Sequence, residues 1–182
     1  MIPNTYKLQY SKEQIKEAVS RIGKQIAEWA KAVQQLTQKE VVAIPVLRGG
    51  IFFFADLARK VPASLEIVPG RSRAYQINQN AAQLDRVKIT IENENLKDRS
   101  ILLVDDICDS GRTMHSLKNY LIAEGVSEVK SAVLIHRLVE DSLFTPDWVG
   151  FEYKGDDWFV GYGMEDHNRW SNLPDIYTIP PK

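Results

Sequence analysis

The chain has 182 residues, 44% hydrophobic and 26% charged, with a formal net charge of -1. With a mean hydropathy of -0.28, these values describe a soluble globular chain of one domain and argue against general electrostatic attachment to nucleic acid. The apolar runs are too short to cross a bilayer, and MIPNTYKLQYSKEQ holds no apolar core of signal-peptide length; the single cysteine, Cys108, excludes an internal disulfide framework and fits a reducing compartment such as the cytoplasm.

Ile15, Val19, Ile22, Ile26, Trp29, Ala30 and Val33 recur at helical spacing and predict a helix over residues 13–36. Ser11 followed by Gln14 makes a capping-box pattern. Val41–Leu47 reads as a buried strand with an irregular point at Pro45. Arg48-Gly49-Gly50 is a tight turn into a helix over 51–60, and 65–68 is a short strand. Residues 70–85 are polar, with Gln76, Asn78, Gln79, Asn80 and Gln83, and read as a mobile loop. Strands follow at 87–91 and 101–104, then a helix over 113–124 stopped by Gly125, then a strand over 129–135. Strands alternating with helices predict an α/β fold, a mainly parallel twisted sheet flanked by helices. Ligands in such sheets bind beyond the carboxyl ends of the strands. From Pro146 the composition turns aromatic, with Trp148, Phe151, Tyr153, Trp158, Phe159, Tyr162 and Trp170. This predicts a small cap, built with the N-terminal residues, on a core of residues 37–145. Most of these rings read as core packing, although a planar base needs one to stack on.

The segment 101–116, ILLVDDICDSGRTMHS, carries the most chemistry. A buried apolar strand ends in Asp105 and Asp106. Asp109 and Ser110-Gly111-Arg112-Thr113 follow, and helical spacing resumes at Met114. A loop opening a helix presents backbone N–H groups and a positive dipole end to an anion, and Ser110 and Thr113 add hydroxyl donors. The adjacent acids suit sugar hydroxyls or a magnesium-bound group. The plain alternative is an acidic loop whose Asp109 or Ser110 caps the helix; capping does not require three acids. Cys108 reads as a small core residue, with no base placed beside it to make it a nucleophile.

This segment resembles the motif by which type I phosphoribosyltransferases bind 5-phosphoribosyl 1-pyrophosphate (PRPP), and every position fits. The resemblance implies that Asp105, Asp106, Ser110, Gly111, Arg112 and Thr113 hold the ribose phosphate. It also implies that Asp109 lies near N7 of a purine, where it manages the base's proton. Leu47-Arg48-Gly49-Gly50 resembles the family's pyrophosphate loop, implying pyrophosphate contacts from Arg48 and Gly49 after a peptide that can be cis. Arg137, closing AVLIHR beside His136, aligns with the lysine that the hypoxanthine–guanine branch directs at the purine 6-oxygen. A donor-only cation suits that carbonyl and opposes the 6-amino group of adenine; a plain surface basic pair is the alternative. Trp148-Val149-Gly150-Phe151-Glu152 and Trp158-Phe159-Val160-Gly161-Tyr162-Gly163 resemble that branch's cap, implying that Trp158 stacks on the base and that the Phe159 backbone meets the purine edge.

The chain departs from the pattern at three places. Glu165, followed by Asp166, stands where the family has a magnesium-contacting aspartate, so Mg2+ is expected at Asp105, Asp106 and Glu165 or Asp166. Ser171 replaces a pyrophosphate arginine, with Arg169 two residues earlier as stand-in. The family's loop Ser-Tyr pair is absent, with Tyr75 the nearest tyrosine. The resemblance implies transfer from PRPP to N9 of a 6-oxopurine by a homo-oligomer, dimer or tetramer, with pyrophosphate released. A xanthine-preferring transferase and a PRPP-sensing nucleic-acid-binding regulator are the alternatives; the charge and the absence of a helix-turn-helix segment count against the regulator.

Overall fold

A computed structural model describes residues 2–79, 82–91 and 95–180, with side chains described outside 71–89. The N-terminal strand β1 (Lys7–Tyr10) leads into helix α1 (Lys12–Thr37). The capping box forms: Ser11 Oγ accepts from the Gln14 amide, and the Gln14 side chain accepts from the Ser11 amide. Then come β2 (Val41–Leu47), α2 (Ile51–Ala58), β3 (Leu65–Ile67), β4 (Gly70–Gln79), β5 (Ala82–Ile91), β6 (Ser100–Cys108), α3 (Arg112–Ala123) and β7 (Glu128–Arg137). The chain ends with β8 (Trp148–Tyr153), β9 (Trp158–Val160) and β10 (Ile176–Ile179).

The main sheet has the order β5-β4-β2-β6-β7-β8, with β3 also on β2. Every pairing in it is parallel except β4–β5. Strand alternation sorts the core onto two faces. Val41, Ala43, Leu102, Val104, Ala132 and Leu134 pack with α1 and α2. Val42, Ile44, Val46, Ile101, Leu103 and Val133 pack with Met114, Leu117 and Leu121 of α3. Pro45 falls where β2 changes partner from β3 to β4, an irregular point that tolerates a missing donor.

Two expectations are corrected. Residues 70–85, expected as a mobile loop, are mostly strand: β4 and β5 pair from Gly70↔Ile91 to Gln79↔Ala82. The hairpin grows from the end of β2, where Val46 pairs with Gly70 and Leu47 with Arg71. Its strands pair chiefly with each other, so a polar sequence completes its ladder through backbone hydrogen bonds. Trp148–Tyr153, expected in the aromatic cap, is instead the edge strand of the main sheet, parallel to β7. Its rings cover the sheet: Phe151 stacks on Tyr10 with centroids 4.0 Å apart, and Trp148 packs on Trp29. The cap proper is the sheet β1-β10-β9. Among the described residues no helix is long and apolar enough to cross a membrane.

Candidate active site

The carboxyl ends of β2, β6 and β7 meet the cap across a cleft with two lobes. One lobe, of about 290 Å³, is lined by Arg48, Gly49, Asp105 and Asp106 together with residues 107–114. The other, of about 340 Å³, is lined by Arg137, Trp158, Phe159, Gly163, Met164 and Glu165. Both share Arg48, Gly49, Asp106, Ile107 and Asp109.

The first lobe is built by two strand-to-helix turns. After β2 the Leu47–Arg48 peptide is cis, and Gly50 opens α2 without a side-chain cap. After β6, Gly111 opens α3 at φ +76, a left-handed conformation that glycine adopts without penalty. No side chain caps α3 either, so neither Asp109 nor Ser110 plays the capping part. Residues 110–114, the uncapped start of α3, line the lobe, the part of a helix that suits an anion. The turn is braced from outside: the Leu143 amide donates to the Ser110 carbonyl at 3.1 Å, and a β-carbon on Gly111 would lie 2.7 Å from the Phe144 nitrogen.

Asp105 and Asp106 are 8% and 7% exposed. Asp105 Oδ1 accepts from the Asp106 amide at 3.0 Å, and Asp106 Oδ1 from the Ile107 amide at 2.9 Å. Burial pushes the Asp105 carboxyl well above the usual carboxylate range, with the Asp106 charge adding to it; burial raises Asp106 as well. Paired acids of this kind gain from hydroxyl donors or a hard cation. No cluster of three or more His, Cys, Asp or Glu side chains among the described residues is arranged to hold a metal. The pair fits magnesium in the manner usual for that ion, one or two carboxylates with phosphate oxygens supplied by the substrate.

In the second lobe Trp158 is 58% exposed, and its indole N–H donates to the Glu165 carbonyl at 2.8 Å. Phe159 is buried, so its ring serves the core. The Glu165 carboxylate lies 3.8 Å from the Arg48 guanidinium. The Asp166 carboxylate accepts from the Tyr6 hydroxyl at 2.8 Å and lies 2.6 Å from His167 Nδ1, away from the lining. Arg169 lines neither lobe; a bridge pairs it with Asp166. The pyrophosphate contact expected of Arg169 is therefore not made in this arrangement. His136 is buried with Nε2 unpartnered among the described residues, and it lines neither lobe. Cys108 is buried, and burial pushes its thiol up to about 11, as a core residue requires. Tyr75 has its side chain outside the described residues.

Ile107, Gly163 and Met164 line the cleft without having been singled out in the sequence. Gly163 was visible as the end of the Gly161-Tyr162-Gly163 match, and Ile107 as the residue between the acids. Met164 carried no signal.

A twisted parallel sheet carrying a phosphate loop, paired acids and an aromatic cap defines a phosphoribosyltransferase. The chain matches the phosphoribosyl transferase domain family over residues 12–167, and it belongs to that family. It is similar to the hypoxanthine phosphoribosyltransferase of Salmonella typhimurium, 30% identical over 181 residues that cover 97% of this chain and 96% of the relative. It is 26% identical to the hypoxanthine-guanine phosphoribosyltransferase of Mycobacterium bovis, covering 93% of this chain and 84% of that one. Among solved structures, a hypoxanthine-guanine phosphoribosyltransferase of Bacillus anthracis superposes with a TM-score of 0.80 at 27% identity, covering 95% of this chain and 98% of that one.

Proposed function

We propose that the protein transfers the 5-phosphoribosyl group of PRPP to N9 of hypoxanthine or guanine, releasing pyrophosphate and forming IMP or GMP in purine salvage. The two-lobed cleft carries this reading: a phosphate-and-ribose lobe and an aromatic lobe meet at Asp106 and Asp109. The names and coverage of the relatives support the same substrates.

The Ser110–Thr113 turn fixes the 5′-phosphate through its amides and hydroxyls. Asp105 and Asp106 hold the ribose hydroxyls, so the anomeric carbon faces the aromatic lobe. Trp158 stacks on the base, and the Phe159 backbone meets its edge. An N–H of Arg137 donates to the 6-oxygen. Asp109 takes up the purine proton near N7 as N9 attacks an oxocarbenium-like centre. Arg48 and the amides of residues 48–50 meet the charge gathering on the leaving pyrophosphate. Asp105 and Asp106 would hold Mg2+ together with substrate oxygens, with Glu165 lining the same cleft, and the bound ion would supply further positive charge there. Glu165 is preferred to Asp166 because it lines the cleft while Asp166 is engaged with Tyr6 and His167.

The enzyme works in the cytoplasm as a homodimer or homotetramer. A buried free thiol supports the reducing compartment, and half-exposed Ile51 and Phe52 beside the cleft support assembly.

The test compares initial rates with hypoxanthine, guanine, xanthine and adenine at saturating PRPP and Mg2+. Hypoxanthine or guanine is expected to lead. A preference for adenine would remove the base assignment and leave the PRPP site standing; a preference for xanthine would move the assignment within the 6-oxopurines.

A further inference from the structure

At the end of β7 the Arg137 side chain is 9% exposed, while that of Asp109 facing it is 63% exposed. Arg137 Nε lies 2.7 Å from Asp109 Oδ1. Its Nη2 donates to the Asp157 carbonyl at 2.9 Å, and its Nη1 donates to the Gly155 carbonyl. The guanidinium also lies against two rings, 5.5 Å from the Tyr153 centroid and 5.2 Å from that of Phe159. The Tyr153 hydroxyl donates to Asp157 Oδ2 at 2.5 Å, bracing the same turn. Among the described residues, Arg137 is the only side-chain partner of Asp109.

This asymmetry decides which residue positions the other. Two carbonyls and two aromatic faces hold the arginine in place. Asp109 sits on the exposed turn after β6 with the arginine as its anchor. Gly155 and Asp157 lie three residues and one residue before Trp158, which Phe159 follows. One side chain therefore ties the carboxylate at the junction of the lobes to the turn that carries the base-stacking ring.

We propose that Arg137 is a positioning residue for Asp109, setting the place of that carboxylate relative to the turn that receives the purine. The inference rests on the transferase reading above. A lysine supplies the charge without the geometry, because its donors radiate from a single atom. Arg137 engages three acceptors along a planar fork. An arginine has five N–H donors; five less three leaves two for a purine carbonyl, so positioning adds to recognition of the 6-oxygen. A displacement of about 1 Å in a reacting group costs about 10²-fold in rate, which makes the anchor consequential.

The experiment is a double-mutant cycle on the full chain. Initial rates with hypoxanthine, PRPP and Mg2+ are measured for wild type, Arg137→Lys, Arg137→Gln, Asp109→Asn and Asp109→Asn/Arg137→Lys. Arg137→Lys is expected to lower kcat more than about tenfold, with the KM for PRPP within about twofold of wild type. In the Asp109→Asn background the same change is expected to alter kcat less than about threefold, because its route of action is already gone. A purely structural contribution would multiply through both backgrounds. If Arg137 variants do not fold, Tyr153→Phe, which loosens the braced turn, replaces them in the cycle with the same expectation. Multiplicative effects overturn the proposal, as does a lysine variant with wild-type kcat. A wild type that forms no IMP overturns the transferase reading and the proposal together; an active wild type with multiplicative effects overturns the proposal alone.

Discussion

Gly49 passes directly beneath the carboxylate of Asp106. A β-carbon on Gly49 would lie 2.2 Å from Asp106 Oδ2 and 2.9 Å from Oδ1. The turn after β2 and the acids at the end of β6 are thus in contact, although 57 positions separate them in the chain. This contact brings to one point the turn and the acids to which the proposed function gives the leaving pyrophosphate and the ribose.

Gly49→Ala should therefore damage PRPP binding before it damages folding. The added methyl meets a buried carboxylate that has little room to move. Overpacking of this kind costs about 1–3 kcal/mol, concentrated here on the shared floor of the cleft. The KM for PRPP is expected to rise about tenfold or more, with a melting temperature a few degrees lower. Wild-type PRPP kinetics in this variant would show that the two turns do not act together.

Thr113→Ala should separate the two substrates. Thr113 lines only the lobe that holds the α3 N-terminus, the lobe to which the proposed function gives the 5′-phosphate, and does not line the aromatic lobe. The KM for PRPP is expected to rise by the worth of one hydrogen bond to a charged group, about 1.5–3 kcal/mol. The KM for hypoxanthine at saturating PRPP should stay near wild type. An equal effect on both substrates would contradict the assignment.

The lobe lined by residues 105–114 was legible because its residues are consecutive in the chain. A buried strand, two acids and an uncapped turn in 13 positions leave few other readings. The base half was only partly legible. Trp158 and Phe159 stood out as aromatic residues, but the partners that fix Arg137 are the main-chain carbonyls of Gly155 and Asp157, 18 and 20 positions onward. Carbonyls carry no sequence signature. Glu165 and Asp166 were indistinguishable by type; the fold separates them by lining the cleft with Glu165 and engaging Asp166 with His167 and with the Tyr6 hydroxyl, 160 positions away. Residues 70–85 escaped the strand reading for a related reason: they form their ladder by backbone pairing, and their polar sequence lacks the period-two apolar signal of a strand.

Trp158→Ala should act on the base alone. With the indole 58% exposed, its removal leaves little cavity and should shift the melting temperature slightly. Stacking of a base on an aromatic ring is worth about 1–3 kcal/mol. The KM for hypoxanthine should rise by about 5- to 150-fold, and PRPP protection against thermal unfolding should persist. A variant with unchanged hypoxanthine KM would move the stacking surface elsewhere in the lobe.

The Tyr162–Asp56 pair should make the fold sensitive to alkali. The Tyr162 hydroxyl donates to Asp56 Oδ2 at 2.6 Å. Burial pushes its pKa above the ordinary tyrosine value, and the hydrogen bond to Asp56 and the charge of Asp56 push it further. Above pH of about 10 an unfolded chain releases this proton while the folded chain retains it. The unfolded state then binds fewer protons, so stability falls as pH rises toward the folded value. The stabilising contribution is complete below about pH 10. Tyr6 and Tyr153, each raised to about 12 by burial and an aspartate partner, act in the same direction. Urea unfolding at intervals between about pH 8 and pH 11 should show stability level at first and then declining, with a shallower decline in Tyr162→Phe. Identical slopes in the two proteins would mean that Tyr162 does not retain its proton in the fold.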